Sequence, residues 1–338
     1  MSKANSASWG CAVLALMCSG CAPVTQRIQI DDSAIDAEVK IERGLALQSM
    51  LADQKRLYRV SYPLLRAARE FCKDSTHNAL GVLAVNRYML GQFAEVAAEQ
   101  SIGEDVQVLE VLPESPGAAA GLLPGDKVLS LDGWAVGAGQ DGAKAFNAKI
   151  AELLKTGRPI SAQILRGADQ PIIVSATPEP VCGYPVQMSE QNVIDASADG
   201  SKVTIARSMM HFATSDNELA LVIAHEIAHN AMGHLKARMG NRLLGRRQAF
   251  SQDFEAEADY VGLYIMARAD LPFKDAAKFW RRLAAELPSN ISGSITASHP
   301  ATSYRILALE KTVTEIELKR AAGQPLTPQL KDSAPKSN

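Results

Sequence analysis

The sequence predicts an α+β fold in which a mainly helical domain carries an inserted β-rich domain. Three observations lead to this prediction. The chain has 338 residues, which is more than one ordinary domain needs. Apolar residues recur at helical spacing near the N-terminus and again from about residue 182 onward. Between these regions, short β-like runs alternate with glycine and proline, which is typical of a small sheet domain.

Composition and charge narrow the possible functions. The sequence is 47% hydrophobic and 21% charged, which is typical of a globular protein rather than a disordered or collagen-like chain. Lys and Arg total 35 against 37 Asp and Glu, so the formal net charge is −2. Such a chain has no basic surplus to neutralise a phosphate backbone, so we expect no nucleic-acid partner.

The first twenty residues are predicted to form a lipoprotein signal peptide. The apolar run Trp9–Met17 is too short to span a bilayer and is followed by small residues. The sequence Ser-Gly-Cys21 resembles a lipobox, which predicts Cys21 as the acylated first residue of the mature chain; an ordinary signal peptide or a buried apolar helix is the alternative. Residue 22 is Ala rather than the Asp of an inner-membrane retention signal. We therefore expect an outer-membrane anchor facing the periplasm, a tether over 21–32, and membrane contact through the lipid alone.

The next segments predict the order of the domains. Residues 33–74 are predicted as an N-terminal helix of the main domain, and 75–180 as the β-rich insert. Within the insert, strands are predicted at 79–85, 106–111, 127–133, 160–165 and 172–176, with a helix at 143–154.

The cysteines support an insert closed at both ends. Of the five cysteines, two lie in the predicted signal peptide and one is the lipid attachment site. Cys72 and Cys182 remain, and they bracket the insert. In an oxidising compartment two such thiols usually pair, so we predict a Cys72–Cys182 disulfide; two separate buried thiols are the alternative.

The insert resembles a bacterial PDZ domain. The resemblance rests on the run from Val111 to Gly133, with its Ser-Pro, Ala-Gly and Pro-Gly-Asp elements. It implies a groove in which a client C-terminus adds as a strand and its carboxylate meets backbone N–H groups. The carboxylate loop is predicted at Leu80, Gly81 and Val82. The alternative is an insert that serves only as a spacer.

A predicted helix over 217–230 carries His225-Glu226-x-x-His229. A helix turns about 100° per residue, so both imidazoles project from one face, one turn apart, as two ligands of one Zn²⁺ require. Glu226 lies on the neighbouring edge of the helix. There it can take a proton from an attacking water.

A second acidic helix offers the third ligand. Glu255 and Asp259 lie four residues apart on one face, so we predict Glu255 as a ligand and Asp259 as the hydrogen-bond partner of a ligating imidazole. Glu257 lies about 200° from Glu255 around the helix and is predicted to be a solvated charge. His234, nine residues after His225, is predicted to pack or to face water.

These motifs, together with Ser298-His299-Pro and Arg305, resemble the metallopeptidase family of the CAAX prenyl proteases, the HtpX proteases and the periplasmic BepA-type and LoiP-type proteases. The resemblance covers a predicted domain at 181–320 and implies a helical gluzincin fold with a small β-hairpin or sheet and one Zn²⁺ per chain. It further implies an endopeptidase that acts on misfolded or misassembled envelope proteins. His299 and Arg305 would lie near the metal as stabilisers of the oxyanion, or His299 would mask the zinc.

The same resemblance predicts where the substrate binds. An edge strand before the metal helix would hold the substrate backbone extended. Its predicted residues are Lys202, Val203, Thr204, Ile205 and Ala206. The proline-rich segment 321–338 is predicted to be disordered. The alternative function is a mainly non-proteolytic chaperone or adaptor that holds client C-termini, with zinc masked or structural.

Overall fold

In a computed structural model, the structure describes residues 28–72, 75–167, 170–237, 251–288 and 303–330. The predicted signal peptide, Cys21 and His299 lie outside the described residues. The chain forms two units, one up to Ile41 and one from Glu42 onward. Helix α1 covers Asp32–Ala67. In the first unit, the Asp31 side chain accepts a hydrogen bond from the Ser33 N–H at 2.8 Å and so caps the start of α1.

The part of α1 in the second unit touches both domains. Leu47 and Leu51 are buried in a cluster with side chains of the β-rich insert, whereas Leu57 and Leu64 belong to the main helical core. The helix ends at Ala67 rather than near residue 74 as predicted, because the chain turns through 68–72 to bring Cys72 to Cys182.

The insert is a sheet domain, as predicted. Its elements are β1 Thr76–Ala79, β2 Val82–Val85, β3 Gln107–Val111, α2 Pro116–Ala119, β4 Lys127–Leu131, β5 Trp134–Ala135, α3 Gly139–Thr156, β6 Ile160–Leu165, β7 Ile172–Ala176 and β8 Glu179–Cys182, with 3₁₀ segments at Arg87–Phe93 and Ala97–Gln100. The sheet has the order β2-β3-β4-β6-β7, β5 pairs with β4, and β1 pairs with β8. The predicted run at 79–85 is broken by Gly81, whose φ of 66° turns the chain between β1 and β2.

A disulfide closes the insert at its base. Cys72 and Cys182 are 110 residues apart in sequence, and their Cα atoms lie 5.3 Å apart. Cys182 also pairs with Thr76 in the antiparallel β1–β8 ladder. The insert therefore leaves the main domain and returns to it at nearly one point.

The main domain is helical with a small sheet. Its elements are β9 Val186–Ser189, β10 Ala196–Ala198, β11 Val203–Ala206, α4 Arg207–Phe212, α5 Asp216–Ala231, α6 Ser251–Arg268, α7 Ala276–Glu286 and α8 Ser303–Ala321. Helices α5 and α6 pack against each other, and α8 packs on α6 and α7. The small sheet has the order β10-β11-β9.

The prediction of disorder from residue 321 is wrong for 321–330. Beyond α8, the Gln329 N–H donates to the Tyr260 hydroxyl at 3.0 Å, and Lys319 donates to the Thr327 carbonyl at 2.8 Å. Leu326 and Leu330 pack against the helical core. The apolar contacts of this segment hold it on the domain despite its prolines; residues 331–338 lie outside the described part of the chain.

A helix that spans a bilayer needs about 20 predominantly apolar residues. Within the described ranges, every helix is too short or too polar to span a membrane.

Candidate metal centre

Three side chains from two helices converge at one point. His225 and His229 lie on α5, and Glu255 lies on α6. The two histidine Nε2 atoms are 3.0 Å apart, and the Glu255 carboxylate oxygens lie 3.3 Å from His225 Nε2 and 3.5 Å from His229 Nε2. Each residue offers one ligand atom, and these atoms lie within 4.8 Å of one another. The structure therefore brings the three predicted ligands together.

The chemistry of these donors fits zinc. Bonds of about 2.0–2.2 Å in a tetrahedral Zn²⁺ site place neighbouring ligand atoms about 3.3–3.6 Å apart. The carboxylate oxygens lie 3.3 and 3.5 Å from the two imidazole nitrogens, within this range, and the two nitrogens are slightly closer to each other, at 3.0 Å. Two imidazoles and one carboxylate leave the fourth position for water or substrate, which is the donor set of a catalytic rather than a structural site.

The local sequence explains why α5 and α6 approach so closely at this point. Gly262 on α6 faces the backbone of α5, where a Cβ atom would lie 3.2 Å from the His225 nitrogen. The absence of a side chain at Gly262 lets the two helices meet. The start of α5 is capped by Ser215, whose hydroxyl accepts from the Glu218 N–H, and the Glu218 carboxylate accepts from the Thr214 N–H just before the cap.

A buried ion pair supports the outer side of His225. Asp259 Oδ1 lies 2.9 Å from His225 Nδ1, as the sequence predicts. Arg305 donates two hydrogen bonds to Asp259, at 2.7 Å from Nε and 2.8 Å from Nη2. Its Nη1 lies 3.2 Å from Glu255, and its guanidinium lies over the Trp280 ring at 4.7 Å.

These contacts change the role expected for Arg305. The sequence predicts an oxyanion stabiliser, but the guanidinium is buried and occupied by two carboxylates, so Arg305 orients Asp259 and Glu255 instead. Trp280 was not predicted at the site, and its ring also packs edge-on against His225 at 5.3 Å. No local pattern identifies Trp280, because α7 reaches the site only through tertiary packing. His299 lies outside the described residues, and its role stays a prediction.

His229 has a different support. Its Nδ1 lies 2.9 Å from Nδ1 of His234, and His234 Nε2 lies 2.9 Å from Glu257 Oε2. The prediction that His234 packs or faces water assumed a continuous helix, but α5 ends at Ala231 and Gly233 has a φ of 69°. The turn brings His234 back to the metal centre. Glu257 is therefore not simply a solvated charge, and Met232-Gly233 was the helix-end signal that reveals this turn.

Burial and neighbouring charges set the protonation of the centre. Burial lowers the pKa of His229, which favours the neutral ring that a metal needs. Burial acts in the same direction on His225, but the hydrogen bonds and charges of Asp259 and Glu255 outweigh it and raise the His225 pKa. Burial disfavours the charged form of Asp259, yet Arg305 keeps the pKa of that carboxyl below its usual range. The carboxylate beside His225 is therefore ionised.

Glu226 lies on α5 directly after His225 and is only 2% exposed. Its role as the base that takes the proton of the attacking water stays a prediction.

The predicted substrate strand is not an edge. Val203, Thr204, Ile205 and Ala206 form β11, which pairs with β10 on one side and β9 on the other, and Lys202 lies just before it. A central strand has no free backbone groups for a substrate, so this prediction is wrong. The available edges are β10 and β9, and β10 packs against α5.

The predicted carboxylate loop lies at the sheet edge of the insert. The Gly81 carbonyl accepts from the Leu112 N–H at 2.9 Å, and neither the Leu80 nor the Gly81 N–H donates to a backbone carbonyl of the described residues. β2 is the terminal strand of its sheet. Since carbonyls alternate along a strand, the Val82 carbonyl points to the free edge, where the Tyr58 hydroxyl of α1 donates to it at 3.2 Å.

Comparison with known proteins identifies the helical domain. The family model for peptidase family M48 matches residues 160–249 and 241–313, a region that includes the metal centre and Arg305. Over this region the chain is similar to the M48 metallopeptidases. The prediction of a metallopeptidase of this kind from the sequence motifs is therefore confirmed.

Two curated relatives match the chain over part of its length. The mitochondrial metalloendopeptidase OMA1 of Schizosaccharomyces pombe is 28% identical over 147 residues, which cover 36% of this chain and 44% of the relative. The OMA1 of Saccharomyces cerevisiae is 30% identical over 141 residues, which cover 33% of this chain and 41% of the relative. The chain therefore matches less than half the length of these relatives.

Solved structures outside the M48 family are also similar over part of the chain. A crystal structure of the HtrA3 PDZ domain bound to a phage-derived ligand is 21% identical, with a TM-score of 0.25, and covers 32% of this chain and 91% of that chain. The HtrA-type protease AlgW with a tripeptide is 29% identical, with a TM-score of 0.23, and covers 31% of this chain and 32% of that chain.

Proposed function

We propose that this protein is a zinc-dependent endopeptidase with one Zn²⁺ per chain. The observation that carries the proposal is the His225, His229 and Glu255 donor set, whose spacing fits tetrahedral zinc with one open position. Endopeptidase activity is supported by the two relatives, both named metalloendopeptidases.

Residues of this chain have separate roles in the proposed peptide hydrolysis. When bound, Zn²⁺ would polarise the scissile carbonyl and lower the pKa of a water. Glu226 takes up the proton of the attacking water and passes it to the leaving nitrogen. Asp259 and Arg305 hold His225 and Glu255 in place. The substrate backbone pairs with the edge of β10, since β11 is already paired on both sides.

The direct test is cleavage of an unfolded protein by the purified mature chain. We expect proteolysis that stops on treatment with a chelator and returns when zinc is added. Binding of the unfolded protein without cleavage at any zinc concentration would overturn the proposal and favour the chaperone or adaptor function.

We further propose that the insert selects clients by their C-termini. The free edge of β2 and the N–H groups of Leu80 and Gly81 offer the contacts that a terminal carboxylate and an extended chain need. Apolar side chains of β2 and α3 form one cluster, including Val82 and Phe146, which favours an apolar last residue. The disulfide keeps a bound chain end close to the M48 domain, which raises its local concentration there.

The binding prediction uses one peptide in two forms and one variant. Loss of hydrogen bonds to a charged group costs about 1.5–3 kcal/mol, so amidating the C-terminus of an apolar peptide should weaken its binding about 10-fold to 100-fold. Tyr58→Phe should strengthen binding of the free acid about 2-fold to 10-fold, because the peptide no longer competes for the Val82 carbonyl. Fluorescence anisotropy measures both. Equal binding of the two peptide forms would make the insert a spacer.

From the sequence of the N-terminus, we propose that the protein lies in the cell envelope. The lipobox-like Ser-Gly-Cys21 and Ala22 support a lipid anchor in the outer membrane that faces the periplasm, where misfolded envelope proteins would be the substrates. Mass spectrometry of the mature N-terminus should find an acylated Cys21. A mature chain that starts elsewhere, without lipid, would reject the anchor.

A further inference from the structure

The two imidazoles of the metal centre are supported in different ways. His225 contacts a carboxylate directly, through Asp259. His229 instead contacts His234, and His234 contacts Glu257. His234 is only 4% exposed, and its ring stacks on Phe254 at 4.7 Å with an interplanar angle of 20°. The stacking holds the ring in the plane that joins the two contacts.

Metal binding fixes the direction of these hydrogen bonds. His229 Nε2 faces the donor set, so its lone pair serves the metal and its proton sits on Nδ1. Nδ1 of His229 then donates to Nδ1 of His234, which must be the unprotonated nitrogen. His234 consequently carries its proton on Nε2 and donates to Glu257 Oε2. A single set of tautomers therefore satisfies both hydrogen bonds, from His229 to His234 and from His234 to Glu257.

We propose that His234 and Glu257 are positioning residues that orient His229 as a metal ligand. This inference rests on the proposed zinc site. Together with the pair formed by Asp259 and His225, it assigns distinct roles to three acidic residues of α6: Glu255 binds the metal, Asp259 supports one imidazole, and Glu257 supports the other through His234. Neither His234 nor Glu257 touches the substrate in this proposal.

The position of Glu257 agrees with this assignment. Its side chain is 37% exposed, whereas that of His234 is 5% exposed, so the chain of contacts runs from the metal centre to the protein surface. A carboxylate at the end needs no further buried partner, because water reaches it. Burial of His234 keeps water from competing for the Nδ1 contact with His229.

The test compares two variants whose side chains have the same number of heavy atoms and the same branching at Cγ. His234→Asn keeps an acceptor oxygen near the place of Nδ1, whereas His234→Leu removes it. Loss of an outer partner of a metal ligand typically costs 10-fold to 100-fold in metal affinity. We therefore expect zinc affinity, measured by chelator competition, to fall about 10-fold to 100-fold in His234→Leu and by less than about threefold in His234→Asn. The visible absorption of Co²⁺-loaded protein should change in the Leu variant and stay close to wild type in the Asn variant.

Thermal unfolding of the zinc-free proteins controls for packing. Without zinc, His234→Leu and His234→Asn should unfold at similar temperatures, because neither side chain stacks on Phe254 as the imidazole does. Equal losses of zinc affinity in Leu and Asn would mean that His234 only packs, and no loss in either would also overturn the inference. If His234→Leu fails to fold, the same comparison can be made at the half-exposed Glu257, with the variants Glu257→Leu and Glu257→Gln. Zinc should bind more weakly to the Leu variant than to the Gln variant. Equal zinc affinities of these two variants would reject the inference.

Failure of this inference is separable from failure of the proposed function. Wild-type protein that binds no zinc would reject the proposed endopeptidase. Wild-type protein that binds zinc and cleaves, beside His234 variants with unchanged affinity and cobalt spectrum, would reject the positioning role alone.

Discussion

Glu226→Gln is expected to lower kcat for peptide hydrolysis by about 10²-fold to 10⁴-fold, the range typical for loss of a general base. The amide has the shape of the carboxylate but does not accept the proton of the attacking water. Glu226 lies on α5 and is not one of the three ligands, so zinc content should stay at about one per chain. Initial rates on an unfolded protein and metal analysis of the same samples measure both quantities.

The matched control is Glu152→Gln on α3. Glu152 pairs with Lys149 on the protein surface, and such exposed pairs contribute little to stability, so this variant should cleave like wild type. A Glu226→Gln protein with full zinc and a kcat within about threefold of wild type would contradict the assignment and require a different base. Retained client binding by the inactive variant would make it a useful trap for natural substrates.

Glu255→Ala is expected to remove most of the zinc. Losing an outer partner of a ligand already costs about 10-fold to 100-fold in affinity, and losing a ligand itself should cost more than 100-fold. The remaining His225 and His229 would hold the ion by two bonds. A ligand present at 100 times its Kd stabilises the folded state by about 2.7 kcal/mol, so added zinc should raise the unfolding temperature of wild type but not of Glu255→Ala.

A glutamate elsewhere on the helical domain provides the control for that change. Glu286 is exposed at the end of α7, so Glu286→Ala should retain about one zinc per chain and the zinc-dependent rise in unfolding temperature. Metal at wild-type content in Glu255→Ala would place the third ligand elsewhere in the chain.

Local patterns predicted which three side chains converge at the candidate metal centre, for a physical reason. His225 and His229 share a helix face because the helix repeat alone determines their directions, and the same argument applies to Glu255 and Asp259. Strand pairing does not follow from a local repeat. The sequence indicated a strand at 203–206, but whether that strand lies at an edge depends on β9 and β10, which pair with it across the sheet.

The supports of the ligands were harder to predict, because they depend on where helices end and which helices meet. Counting around a continuous helix placed His234 away from the metal. In the structure the helix ends at Ala231, and the chain turns at Gly233, so His234 contacts His229. Arg305 lies in a motif associated with catalysis, yet its contacts with Asp259 and Glu255 are set by how α8 packs on α6. Trp280 reaches the site in the same way.

The closed base of the insert has a consequence for protein engineering. The Cα atoms of Cys72 and Cys182 lie 5.3 Å apart, a gap that one or two residues of extended chain can bridge. The whole β-rich segment can therefore be excised, or exchanged for another recognition module, without rerouting the peptidase backbone. Leu47 and Leu51 of α1 pack against the insert, so an excised protein would need polar residues at these two positions to stay soluble.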